Sequence, residues 1–378
     1  MKKIVIFTCI GGHTSISQSL QDYLKDSYNV KVVNIFLDTL WPIDPIRLCT
    51  FGLYTSEDFY RFMLQQQLFR FFNVNYKVSY YYFNMLSPIM SFLIKRTMQQ
   101  EKADAVISLI PFFNRHILII AEQLNIPFLL SPTDMDIEIF LYKMAPITYN
   151  KFHLAITLDD STIQNVIKPL SLNSSRVHIT GAALKEGFFK TCDIEAIKKD
   201  LHIPHNRPVI LLLMGSLGSN ATLNFARKLA TITTIPFHLI IVMGQHAKLY
   251  KDISAIPFGP NISTSLFAFT PLIPELMAIS SLLITKAGGI TMCEALYKNL
   301  PTFLDATGAV LAWEQINQQF MSKHKFSAII HNLDELPSMV INFLSNKQIA
   351  DAYKERMMQL PKKHGGENIK KVLQMCIK

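Results

Sequence analysis

The chain has 378 residues, of which 49% are hydrophobic and 17% charged, and a formal net charge of +9. That length suits two domains, each burying its own core, and the composition excludes long disorder. Five cysteines, Cys9, Cys49, Cys192, Cys293 and Cys376, have no paired spacing, which excludes a zinc finger or disulfide framework and fits a reducing cytoplasm without structural metal.

In chain order, Lys2 and Lys3 precede an apolar run too short for a signal peptide, ended by Gly11-Gly12-His13. Residues 3–8 read as a strand, about 15–25 as a helix and 30–36 as a second strand, which requires a right-handed parallel crossover and hence a Rossmann-like opening. An insert at about 46–98 follows, and 14 aromatic residues fall between positions 51 and 92, interleaved with Arg61, Arg70 and Lys77 and followed by Lys95-Arg96. Two readings stand for this block: an amphipathic segment lying in a membrane interface, or a helical subdomain packed on the sheet. Its uncharged stretch 78–94 holds Asn84 and Pro88 and is shorter than the roughly 20 residues a spanning helix needs, so no transmembrane helix is expected. Strands at 105–109, 127–131, 154–157 and 177–180, with a helix at 114–124, complete a first domain over 1–185.

After a charged stretch at 195–207, strands at 209–214, 238–243, 263–267 and 282–285 and a helix at 221–231 make a second doubly wound α/β domain over 186–353. Two such Rossmann-like domains facing each other enclose a central cleft. A helix over 354–378, expected to pack back on the first domain, carries seven basic and two acidic residues. These make either a solvated face or a patch for anionic lipid. No basic and aromatic groove motif points to nucleic acid.

The sharpest motif is Thr285-Lys286-Ala287-Gly288-Gly289, which follows an apolar strand and opens a helix carrying Glu294. Free N–H groups and the helix dipole favour a phosphate there, and the glycines let a diphosphate approach. A second turn, Gly215-Ser216-Leu217-Gly218, also ends a strand, so two loops converge on one nucleotide. Gly244-Gln245 ends a third strand and reads either as a base or sugar contact or as a surface turn.

These residues resemble the monogalactosyldiacylglycerol synthases and processive diacylglycerol glucosyltransferases, a lineage that includes the peptidoglycan N-acetylglucosaminyltransferase acting on lipid I. Leu213 to Gly218, Gly244, Leu276-Met277-Ala278, Thr285 to Leu296, Pro301, Gly11-Gly12-His13, Thr133-Asp134 and Gly181 to Phe188 carry the likeness. The resemblance implies the GT-B fold and an inverting transfer of a hexose from a UDP-sugar, bound by the C-terminal domain, to a lipid of diacylglycerol type at the cytoplasmic membrane surface. It places the diphosphate near Gly215, Ser216, Gly288 and Gly289, Glu294 on the ribose, Phe267 beside uracil, and Lys286 with Gly244 and Gln245 in the donor site. The family's Gly-Gln-Glu-x-x-Asn segment is here Ala312-Trp313-Glu314-Gln315-Ile316-Asn317, so Glu314 and Asn317 match and Gln315 is left to supply the amide displaced by Trp313.

At the other end, Gly11 and Gly12 form the acceptor loop, and His13 is the candidate base, because an alcohol must lose a proton as it attacks the anomeric carbon. Asp134 either orients His13, binds an acceptor hydroxyl or caps the next helix. The UDP-sugar is a co-substrate, and neither cofactor nor metal is expected. Rival readings are a UDP-N-acetylglucosamine transferase acting on a polyprenyl-linked acceptor, a UDP-sugar epimerase of the same fold, and a non-catalytic nucleotide-sugar or lipid binder. A nicotinamide dehydrogenase is disfavoured because the first turn lacks a GxGxxG pattern.

Overall fold

The structure, a computed structural model, describes residues 1–246 and 248–377; Ala247, Lys378 and the side chains of Phe72, Asn75, Tyr76, Lys77, Ser79, Tyr80, Ser161 and Thr162 lie outside the described set. The chain divides into two compact units, the first formed by Met1–Tyr60, Phe72–Lys185 and Lys362–Lys378, the second by Arg61–Phe71 and Glu186–Pro361.

The first series of elements runs β1 (Lys3–Thr8), α1 (Gly12–Leu24), β2 (Asn29–Asn34), α2 (Pro45–Cys49), α3 (Ser56–Gln65), α4 (Phe69–Met85), α5 (Ser87–Gln100), β3 (Ala105–Ser108), α6 (Asn114–Gln123), β4 (Phe128–Leu130), α7 (Glu138–Leu141), β5 (Phe152–Ile156), α8 (Ser161–Ile167) and β6 (Val177–Ile179). Its six strands form a parallel sheet in the order β2-β1-β3-β4-β5-β6. Ile4, Val5, Ile6 and Phe7 are fully buried, as expected of a parallel strand covered on both faces. α1 starts three residues earlier than the sequence pattern suggests. Gly11 turns the chain at φ +90 and its carbonyl accepts the Thr14 N–H, so His13 stands in the first helical turn.

The aromatic insert is helical, with one side packed into the core and another exposed. One face of α5, Met90, Ile94 and Met98, is buried at helical spacing, and Phe83 meets Phe113 edge-to-face at 5.4 Å. Tyr82 turns its hydroxyl to the Ile43 carbonyl at 2.9 Å. On the outer side Val74, Val78, Tyr81 and Met85 form a helical stripe along α4 that is 62% to 73% exposed, continued by Ile89 and Phe92 on α5. Among the described residues no helix is long and apolar enough to cross a membrane.

The second series runs α9 (Ile194–Asp200), β7 (Val209–Leu213), α10 (Ala221–Leu229), β8 (Phe237–Val242), α11 (Lys248–Ser254), β9 (Ile262–Phe267), α12 (Ile273–Ile279), β10 (Leu282–Thr285), α13 (Gly289–Tyr297), β11 (Thr302–Asp305), α14 (Glu314–Lys323), β12 (Ser327–Ile330), α15 (Leu336–Ser345) and α16 (Lys347–Met358). Its parallel sheet has the order β12-β11-β10-β7-β8-β9. The sequence pattern gives no sign of β11 and β12, because each is four residues long and begins on a buried polar residue, Thr302 or Ser327.

The single returning helix expected over 354–378 is corrected. α16 ends at Met358 within the second unit, and α17 (Gly365–Cys376) belongs to the first. There Asn368 donates to the Thr180 carbonyl at 2.9 Å, and a Cβ on Gly366 would overlap the Tyr23 ring. The basic residues are accordingly shared between helices of two units, with Lys354 and Arg356 on α16 and Lys370 and Lys371 on α17, and do not make one helical face.

Candidate active site

In an open parallel sheet, ligands bind beyond the carboxyl ends of the strands where the strand order reverses. In the first sheet that point lies between β1 and β3, and the loops after these two strands meet there. His13 Nδ1 lies 2.8 Å from the Leu109 carbonyl and 2.9 Å from Thr133 Oγ1. A carbonyl only accepts, so Nδ1 carries the proton and the Nε2 lone pair is left for a substrate proton. Burial lowers the His13 pKa below its usual 6.5, while the Asp134 charge and the Leu109 hydrogen bond oppose that shift. The ring is therefore neutral near pH 7.

Asp134 reaches His13 through charge and through Thr133, whose Oγ1 stands 3.5 Å from Asp134 Oδ2. Just before α7, Asp136 accepts the Glu138 N–H at 3.1 Å; burial raises the Asp136 pKa to about 6. A further carboxylate went unrecognised in the sequence. Glu57, at 8% exposure, accepts the Ile10 N–H at 3.0 Å and the Asn34 amide at 2.8 Å, and so anchors the chain just before Gly11 and Gly12. The only available signal was an acid inside an aromatic block. Burial, with Glu57 and Asp134, pushes the Cys9 thiol up, which leaves it un-ionised and unsuited to nucleophilic work.

In the second sheet the order reverses between β7 and β10, whose carboxyl ends carry Gly215 and Lys286-Ala287-Gly288. Gly215 adopts φ +91, and a Cβ there would lie 3.2 Å from Lys286 Cε. Gly288 precedes α13, whose N-terminus has no side-chain cap, so the N–H groups from Gly289 onward are offered to a ligand. The Gly215 turn also locks onto the turn after β8. Gln245 donates its N–H to the Ser216 carbonyl at 3.0 Å, and a Cβ on Gly244, at φ +62, would sit 2.5 Å from that same oxygen. Gly218 and Gly244 thus serve loop-to-loop packing, a role the sequence reading, which left Gly244 as a base or sugar contact or a surface turn, did not include.

Lys286 Nζ pairs with Glu314 Oε1 at 2.5 Å, and the fully buried Asn317 donates to the Ala287 carbonyl at 3.0 Å, so α14 braces the phosphate-type loop. Phe267 ends β9 and accepts the Met243 N–H, beside Gly244; Glu294 is buried at 9% exposure on the second turn of α13. Gln315 is not brought to this cluster. It faces a groove of about 580 Å³ with Gln318, Gln319, Ser322 and His331. Among the described residues no group of histidine, cysteine and acidic side chains is arranged to hold a metal ion.

Two doubly wound parallel sheets, each with polar groups gathered at its reversal point, define a two-domain α/β protein of the GT-B type. In fold the chain is similar to the crystal structure of MurG from Acinetobacter baumannii, with 15% identity and a TM-score of 0.63 over 99% of this chain and 100% of that one. It is also similar in fold to a putative UDP-N-acetylglucosamine 2-epimerase from Listeria monocytogenes, with 13% identity and a TM-score of 0.57 over 99% and 96% of the two chains. Residues 209–373 match the glycosyltransferase family 28 C-terminal domain. A processive diacylglycerol beta-glucosyltransferase of Staphylococcus epidermidis is 24% identical over 364 residues, 95% of this chain and 88% of the relative. The second domain is thus similar to the C-terminal domain of glycosyltransferase family 28.

Proposed function

We propose that the protein transfers a hexose from a UDP-sugar to the hydroxyl of a diacylglycerol-type lipid in one inverting displacement at a membrane surface. The observation that carries this reading is the meeting of the Gly215 and Gly288 loops at the reversal point of the second sheet. Strands β9, β8, β7, β10 and β11 lie side by side in that order, about 4.8 Å apart. Their order supports a donor site with Phe267 at uracil, Gly215, Ser216 and the start of α13 at the diphosphate, Glu294 at the ribose and Glu314 toward the sugar, with Asn317 held behind on the Ala287 carbonyl. His13 Nε2 takes the lipid hydroxyl proton as that oxygen bonds to the anomeric carbon and the carbon–phosphate oxygen bond breaks. Helix-start amides stabilise the charge on the departing diphosphate.

The apolar stripe of α4 and α5 supports a lipid acceptor, since its side chains suit a membrane interface and have no evident use on an enzyme for free nucleotide sugars. Incubation with radiolabelled UDP-sugars and mixed lipids tests the reading. A labelled lipid is expected, and its absence with every donor refutes it. His13→Ala is expected to lower kcat by about 10²- to 10⁴-fold with UDP affinity intact; equal loss of both in calorimetry removes His13 from the role of base.

A further inference from the structure

We infer that Arg61, a residue of the aromatic insert, is a ligand of the donor diphosphate. The inference rests on the donor reading above and concerns the second unit, to which Arg61–Phe71 belong. The last turn of α3 is built into the Gly215 loop: Gln65 Nε2 donates to the Leu217 carbonyl at 3.1 Å, Gln65 O accepts the Asn220 N–H at 3.0 Å, and Gln66 Oε1 accepts the Asn220 amide at 3.1 Å. Arg61 lies four residues before Gln65, on the same face of the helix and about 6 Å along its axis. It therefore stands on the side of α3 that addresses this loop.

Two features give that position a charge-binding purpose. Arg61 Nε is buried and has no hydrogen-bond partner among the described residues. Leaving a buried guanidinium donor unmet is costly, which implies that something outside the chain completes it. Lys286, the cation of the proposed donor site, is already paired with Glu314. A diphosphate brought to Gly215 and Gly288 would meet amide dipoles but no uncommitted positive charge from that pair. An arginine fork matches phosphate oxygens in geometry as well as in sign, and as the sugar leaves it would offset the charge that grows on the diphosphate.

The test compares UDP and UMP binding by calorimetry in the full chain, wild type and Arg61→Met, with Arg61→Lys as a second variant and circular dichroism melting as a check on folding. Arg61→Met is expected to weaken UDP by about ten- to a hundredfold while leaving UMP within about twofold, and Arg61→Lys to fall between. UDP affinity unchanged in both variants overturns the assignment to Arg61. Equal weakening of UDP and UMP also overturns it, since that pattern means a general disturbance of the loop. A wild-type chain that binds UDP no better than uridine overturns the donor reading itself, a separate outcome.

Discussion

Gly244→Ala probes the interlocked turns directly. Gly244 holds φ +62, and placing a side chain in left-handed backbone costs about 1–2 kcal/mol. The new Cβ would stand 2.5 Å from the Ser216 carbonyl oxygen and 2.8 Å from the Gly218 nitrogen, both backbone atoms that cannot swing aside. Separating the turns sacrifices the Gln245 to Ser216 hydrogen bond, worth about 0.5–1.5 kcal/mol, for a total of about 1.5–3.5 kcal/mol. Gly215→Ala incurs the same backbone cost at φ +91, but its Cβ meets the flexible end of Lys286 at 3.2 Å, so about 1–2 kcal/mol is expected. The chain has two tryptophans. In a Trp41→Phe background Trp313 alone reports the second unit in urea unfolding. Gly244→Ala as stable as its parent, or milder than Gly215→Ala, would show that the turns are not held against each other.

Asp134→Asn removes a charge that raises the His13 pKa, so the acid limb of kcat/KM should move to lower pH; a shift upward would assign that limb to another group. Lys286→Met leaves the Glu314 carboxylate at 8% side-chain exposure without its partner, and should destabilise the second unit by roughly 3–5 kcal/mol in the same Trp313 assay. Adding Glu314→Gln should recover most of that loss, and failure to do so would mean the pair matters for packing alone. Val78→Glu with Tyr81→Glu should abolish sedimentation with anionic liposomes without lowering the melting temperature, because both side chains are more than 60% exposed; unaltered sedimentation removes the stripe from lipid contact.

Much of the frame was legible because buried parallel strands leave apolar runs that short motifs punctuate. β1 and β10 could be bounded to the residue, and the turns after β1, β7 and β10 marked where chemistry would gather. Strand order was not legible. Nothing in the residues following β7 states that β10 is its neighbour, yet that adjacency is what brings Lys286 within reach of Gly215. The tautomer of His13 was equally hidden, since it depends on a carbonyl 96 positions away. The insert was legible only as two open readings. Its aromatic residues suggested a membrane or a core, and nothing in the sequence marked that three of its polar residues, Glu57, Gln65 and Gln66, bind loops of the two candidate sites.

The two reversal points use one architectural device for different chemistry, and the difference follows from what each strand has beside it. β1 is flanked by β2 and β3, and the loop after it meets a carbonyl from β3 and a hydroxyl from the β4 loop, partners that set the proton of a histidine. β7 is flanked by β8 and β10, and both neighbours end in glycine-bearing turns that pack against its own. Such packing leaves little room for side chains and exposes peptide groups, the surface that a diphosphate needs and a proton-transfer site does not. A side chain added at Gly218 or Gly244 should therefore damage folding and phosphate binding together, whereas changes around His13 should alter its pKa and leave the sheet beneath it intact.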